Sequence, residues 1–177
     1  MSNSKDYYKI NPYTKKGMTL IEVVIVIAIV GLMSAISIVS YVTSKRNAEL
    51  ETAAEELVAV LREAQNYSLT GKEVSSTCSN YRVTVINGSS NYLLRTYTAG
   101  GVACGNINST YVFRSGVVTS SGAGYLSFAA PHASVTRTAG MVAGSFFRIA
   151  LSKGGGSYYV CFNHAGLIKK TTSSSCN

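Results

Sequence analysis

The sequence predicts an α+β fold: a long N-terminal helix, its first half transmembrane, followed by antiparallel β-strands. Three observations predict it. Residues 21–42 are an apolar run whose only charge is Glu22. Residues 44–71 place apolar side chains at helical spacing, and the remainder breaks into short β-prone runs punctuated by Gly, Ser and Asn. A chain of 177 residues has room for one core-bearing domain beyond such a helix.

The apolar run reads IEVVIVIAIVGLMSAISIVSYV. As a helix it would reach about 33 Å, enough to cross the hydrocarbon core of a bilayer. Its many β-branched residues favour a strand in water. In lipid only a helix satisfies every backbone N–H and C=O within the segment. Lys5, Lys9, Lys15 and Lys16 precede the run and no Lys or Arg follows it before Lys45, which predicts an N-terminus inside and a C-terminal region outside. A cleaved secretory signal would also put basic residues before an apolar stretch with small residues such as Ser34 and Ser37, but its apolar part spans only about 7–15 residues. Glu22 also argues against that reading. A carboxylate at membrane depth is costly and calls for a partner, such as an N-terminal amine freed by a cut just upstream.

The helix is expected to continue. Leu50, Ala54, Leu57, Leu61, Ala64 and Ser68 recur at alternating spacings of four and three, one face of an amphipathic helix that packs on a core. Glu49, Glu51, Glu55, Glu56, Arg62 and Glu63 fall elsewhere, and Gly71 suits the first position beyond a helix end. Strands are expected at Tyr81–Ile86, Asn91–Thr98, Tyr111–Phe113, Val117–Thr119, Gly124–Phe128, Phe146–Leu151 and Tyr158–Phe162. The turn formers at 87–90 and 152–157 read as hairpin connections. Residues 129–145 read as a long loop.

Charge is unevenly spread. From residue 74 onward the chain carries Arg82, Arg95, Arg114, Arg137, Arg148, Lys153, Lys169 and Lys170 and no Asp or Glu. Catalysis by paired carboxylates, and most hydrolytic metal sites, are thereby excluded from that region. Cys161 and His164 are a poor nucleophile–base or zinc pair: a lone C-x-x-H lacks a second ligand pair, and residues three apart on a strand face opposite ways. No catalytic residue, metal or cofactor is expected. Outside the cytoplasm four cysteines form two disulfides more naturally. Joining sequence neighbours gives Cys78–Cys104 and Cys161–Cys176, one of three possible connectivities. The unbalanced positive field also fits an anion or DNA surface, with tyrosines available for stacking. Arg82, Arg95, Lys169 and Lys170 are its candidate residues. The competing reading is a solvated surface whose acidic complement lies on neighbouring subunits, for instance their helix 49–63.

The segment Lys15-Lys16-Gly17-Met18-Thr19-Leu20-Ile21-Glu22 resembles the class III signal of type IV pilins and type II secretion pseudopilins. The resemblance implies a pilin-like fold, in which one long helix lies half in the membrane or filament core and half across a sheet. It implies that prepilin peptidase cuts between Gly17 and Met18 and methylates the Met18 amine. Glu22 would then be the fifth mature residue, pairing with a neighbouring subunit's terminal amine during assembly. Met18 stands where Phe is more frequent, and Val39 where the family often has a kink proline. Gly31 remains a weak point of the helix. Residues 1–17 would be the cleaved leader, 18–43 the transmembrane half-helix, 44–71 the amphipathic helix and 72–177 a periplasmic β-rich head.

Leu61-Arg62-Glu63-Ala64 before Gly71, and Val160-Cys161-Phe162 before Gly166, resemble the GspH/FimT subgroup. That subgroup implies a minor pilin of the FimT/FimU kind that initiates or caps a pilus among other major and minor pilins. It would be held in the bacterial inner membrane until assembly, with a cytoplasmic N-terminus and a periplasmic C-terminal domain. A GspH-like pseudopilin of a type II secretion system and a DNA-binding pilin for natural transformation are the alternatives. Against the basic G-R-x-R motif of DNA-associated relatives this chain has Gly166-Leu167-Ile168-Lys169, without the first arginine.

Overall fold

The computed structural model describes residues 17–72, 77–138 and 146–176. The chain divides into two compact units, Met1–Tyr41 and Val42–Asn177. One α-helix, α1 (Leu20–Thr70), begins in the first and continues in the second. In the first unit every described side chain is exposed, including Ile21, Val30, Leu32 and Ile38. By length and composition this stretch of α1 can cross a membrane.

In the second unit α1 buries one face. Leu50, Ala54, Leu57, Leu61, Ala64 and Ser68, the stripe legible in the sequence, are all buried, together with Ala53, Val58 and Val60. Three alanines on that face let the helix backbone approach the sheets closely, and each buried leucine contributes about 2 kcal/mol relative to exposure. Gly71 (φ +65°) ends the helix. The Lys72 N–H donates to the Tyr67 carbonyl at 3.3 Å, the long return bond of a Schellman end, which needs the left-handed backbone glycine adopts without strain.

Nine strands follow among the described residues: β1 (Cys78–Val85), β2 (Asn91–Thr98), β3 (Ala103–Val112), β4 (Val118–Ser121), β5 (Gly124–Ala129), β6 (Ser134–Arg137), β7 (Phe147–Lys153), β8 (Gly156–Phe162) and β9 (Ile168–Thr171). They form two antiparallel sheets: sheet A in the order β3-β2-β1-β5-β6, sheet B in the order β4-β7-β8-β9. The inner faces supply Tyr81, Val83, Leu94, Leu126 and Phe128 from sheet A, and Phe147, Ile149, Leu151 and Val160 from sheet B. All of them join α1 in one core. The architecture is therefore α+β and pilin-like, a long N-terminal apolar helix packed on antiparallel sheets.

Two expectations need correction, and one further strand lies beyond those expected. The strand expected at Tyr111–Phe113 begins at Ala103; its first half, with Ala103, Gly105 and Asn106, has low β-propensity and is ordered by pairing with β2. The expected loop at 129–145 contains β6, which pairs with β5 from Leu126↔Arg137 to Ala129↔Ser134; residues 139–145 lie outside the described residues. The C-terminal segment contains β9, paired with β8. Both β6 and β9 are four-residue edge strands, and two lysines in β9 mask a strand signal while protecting a sheet edge.

Candidate functional site

The N-terminal end of α1 carries the first candidates. Gly17 and Met18 are exposed and lie outside any helix. The Glu22 backbone N–H donates to Thr19 Oγ1 at 3.4 Å, and the Val23 N–H to the Thr19 carbonyl at 3.3 Å. Thr19 is thus the N-cap and Glu22 the third helical residue, the T-x-x-E spacing of a capping box. The T-x-x-E spacing is itself the sequence signal for this cap. The carboxylate also sits where the helix dipole favours negative charge. Lys15 and Lys16 lie outside the described residues.

The second half of α1 is tied to the sheets by charge. Glu49 accepts from Lys153 Nζ at 2.5 Å. Glu51 and Glu55, one turn apart, hold the Lys170 ammonium between them, Glu51 at 2.9 Å. Arg114 lies 3.6 Å from Glu56. Arg46 donates to the Gly154 carbonyl at 2.5 Å, and Gln65 Nε2 to that of Gly166 at 2.9 Å. The hydrogen bond from Lys153 holds the Glu49 carboxyl below its ordinary range, and that from Lys170 does the same for Glu51. Glu55 first, then Glu51, push the Lys170 ammonium upward. The acidic complement of the basic region is therefore, for these residues, the helix of the same chain. Glu63 accepts from the hydroxyls of Tyr67 and Tyr111.

Register separates the basic candidates. Lys169 and Lys170 are neighbours on β9 and face opposite ways: Lys170 reaches the helix, while Lys169 lies 5.2 Å from the Phe146 ring centroid. Arg82 and Arg95 are directly opposite each other on β1 and β2, in the other sheet. The structure thus brings together Arg82 and Arg95, and not all four. The nearby tyrosines are engaged: the Arg82 guanidinium lies 3.9 Å from the Tyr97 ring and 3.7 Å from that of Tyr125.

Cys78 is bonded to Cys104, joining the starts of β1 and β3, and Cys161 to Cys176, fastening the C-terminal residues onto the outer face of β8. Arg148, opposite Cys161 on β7, donates to the Ser174 carbonyl over the same tail. His164 lies beyond the end of β8, its ring edge-on to Phe147 at 4.6 Å. Among the described residues no cluster of three or more His, Cys, Asp or Glu could hold a metal.

Comparison with known proteins gives one family motif and two curated relatives. Residues 13–38 match the family described as the prokaryotic N-terminal methylation motif. A stretch of 65 residues is 37% identical to two curated proteins, each named fimbrial protein, from Pseudomonas aeruginosa; it covers 37% of this chain and 42% of theirs. The chain thus spans less than half the length of these curated relatives. No solved structure matches. The motif and the fimbrial similarity support a type IV pilin-like protein.

Proposed function

We propose that this chain is a minor type IV pilin of the FimT/FimU kind. It enters the inner membrane as a precursor, is cut between Gly17 and Met18 and N-methylated by prepilin peptidase, and joins the initiating tip of a pilus with other pilins. One observation carries the reading: Glu22, the sole charge of an exposed apolar helical stretch, sits five residues into the chain that such a cut would leave. A carboxylate there and the new terminal amine of a neighbouring subunit relieve each other's cost in lipid. Thr19 keeps Met18 out of the helix, so the junction stays accessible as unfolded backbone. In α1's second half the helix is committed to the sheets, which leaves the first half as the element available for lateral packing with other subunits.

The experiment is the yield of pili sheared from cells lacking the gene, beside a complemented strain. Loss restored by complementation is expected. Unchanged pili would overturn the priming role and turn the question to secretion and DNA-uptake assays. Glu22→Ala should leave cleavage largely intact and reduce incorporation into pili, whereas Gly17→Val should accumulate full-length precursor in the membrane. Normal incorporation of the Glu22→Ala chain would refute the pairing.

A further inference from the structure

The outer face of sheet A holds two like charges that no carboxylate among the described residues neutralises. Arg82 and Arg95 are cross-strand partners and face away from the core, because their neighbours Tyr81, Val83, Leu94 and Thr96 are buried. Like charges directly opposite each other destabilise a sheet. No Asp or Glu occurs after residue 73, and the ion pairs among the described residues involve neither arginine. Both side chains are nevertheless held in place. Arg82 lies between the rings of Tyr97 and Tyr125, its Nε buried without a hydrogen-bond partner. Arg95 Nε donates to Asn108 Oδ1 at 2.6 Å. Two immobilised guanidiniums lose little further freedom on meeting an anion, so binding is not weakened by the cost of ordering them.

We propose that Arg82 and Arg95 form a docking site for an acidic helix of another subunit, one that presents carboxylates at positions i and i+4. At their bases the two arginines are spaced much as such a pair is: cross-strand Cβ atoms stand about 4.5–5.5 Å apart, and helix residues four apart about 5–6 Å. The chain contains the same arrangement in miniature, where Glu51 and Glu55 of α1 hold Lys170. Its own helix is not the occupant. Its one i, i+4 carboxylate pair, Glu51 and Glu55, is taken by Lys170; Glu49 and Glu56 have Lys153 and Arg114, and Glu63 has two tyrosine hydroxyls. The partner is therefore a different protein whose helical carboxylates lack such matches. Tyr97 and Tyr125 flank the guanidinium and keep water off its faces, which strengthens a charged contact. The proposal rests on the subunit role above only in taking the partner to be another subunit.

The test uses the full chain in zwitterionic detergent and a fluorophore-labelled, alanine-based helical peptide carrying Glu pairs at i and i+4, read by anisotropy at low ionic strength. Two competitors accompany it: the same peptide with Gln for Glu, and a single-stranded oligodeoxynucleotide. The Glu peptide should bind and weaken several-fold on raising salt from 50 to 300 mM. Arg95→Gln should weaken it at least tenfold with an unchanged melting temperature, and Arg95→Lys, which keeps charge but loses the planar fork, should fall between. Equal binding of the Gln peptide, no binding of the Glu peptide, or indifference to Arg95→Gln would overturn the site. Tighter, Arg95-dependent binding of the oligonucleotide would overturn it in favour of a phosphate-binding face. Failure of the peptide to bind while pili still depend on the gene would sink the docking site alone. Peptide binding beside unchanged pili in the deletion strain would sink the subunit role alone.

Discussion

Removing the Cys161–Cys176 bridge should destabilise the second unit about as much as a large-to-small core substitution. The bond closes a loop with a sequence separation of 15, and loop entropy alone assigns it about 3 kcal/mol. For a unit of this size that corresponds to roughly 10 °C in melting temperature. Little else holds the segment it closes. β9 pairs with β8 over only four residues, and beyond that ladder the segment has the partly buried Ile168, the exposed clamp of Lys170, Lys169 over Phe146, Gln65 on Gly166 and Arg148 on Ser174. Exposed ion pairs are worth at most about 1 kcal/mol. The perturbation is the Cys161→Ala/Cys176→Ser double variant, since a single change would leave a reactive thiol. Calorimetry of the full chain in detergent measures the melt, and amide exchange at 168–171 reports whether β9 opens first. Exchange there should rise before any in β7 or β8. A melting temperature within 2–3 °C of the parent, or exchange at β9 unchanged, would refute the reasoning by showing that β9 holds itself in place. The Cys78–Cys104 bridge, with a separation of 26, gives about 3.5 kcal/mol on the same basis and serves as the internal comparison.

Gly122→Ala should lower the melting temperature sharply: its φ is +84°, and a Cβ there would stand 2.4 Å from the Arg148 carbonyl oxygen. The left-handed backbone costs about 1–2 kcal/mol and the clash with β7 adds to it, so Gly122→Ala melting like the parent in the same scan would contradict the placement of the β4–β5 connection. Acid should loosen the contact between α1 and β9. Glu51's carboxyl is held below its ordinary value of 4.5, so its contribution is fully present above that pH and is lost as pH falls through the lowered folded value. The raised Lys170 ammonium contributes below its ordinary 10.5 and is lost only at more alkaline pH. Amide exchange at β9 should therefore be flat from about pH 5 to 10, after correction for intrinsic rates, and accelerate below about pH 4.5. Glu51→Gln should abolish the Glu51 part of that acid step, and an unchanged step in the Gln variant would show that another group carries it.

Much of this molecule was legible where one periodicity dominated. The six-residue stripe of α1 stood out because a helix packed on one side repeats every three to four residues over many turns. β2 matched its expected bounds and β5 came within one residue of its own, since Tyr, Leu, Thr and Phe, good strand residues for the most part, cluster there between clear turn formers. β6, β9 and the first half of β3 were not legible, because edge pairing rather than propensity holds them. The charged candidates show the same limit. Composition revealed a carboxylate-free, basic region, but only register shows that Lys169 and Lys170 part company and that Arg82 and Arg95 meet. Thr19 was available from its spacing to Glu22, and the Tyr97–Arg82–Tyr125 stack was not, since it joins three strands.

The two halves of α1 form a helix for different reasons, and the difference bears on assembly. From Ile21 to Val42 the chain is rich in Ile and Val, which lose rotamer freedom in a helix and would not hold one in water. From Ala48 to Thr70 it is rich in Ala, Leu and Glu, good helix formers, and its apolar face is fixed by the core. Helix nucleation is the costly step and extension adds one bond per residue. The packed half therefore supplies a nucleus from which the apolar half extends, and Thr19 caps the far end. Extraction from lipid removes the environment that favours helix over strand for 21–42 and leaves that nucleus intact. A pilin-like subunit built this way keeps its sheets folded throughout transfer, because the unit beginning at Val42 has its own core. Any loosening on leaving the bilayer is then confined to the stretch around Gly31, where helix propensity is weakest.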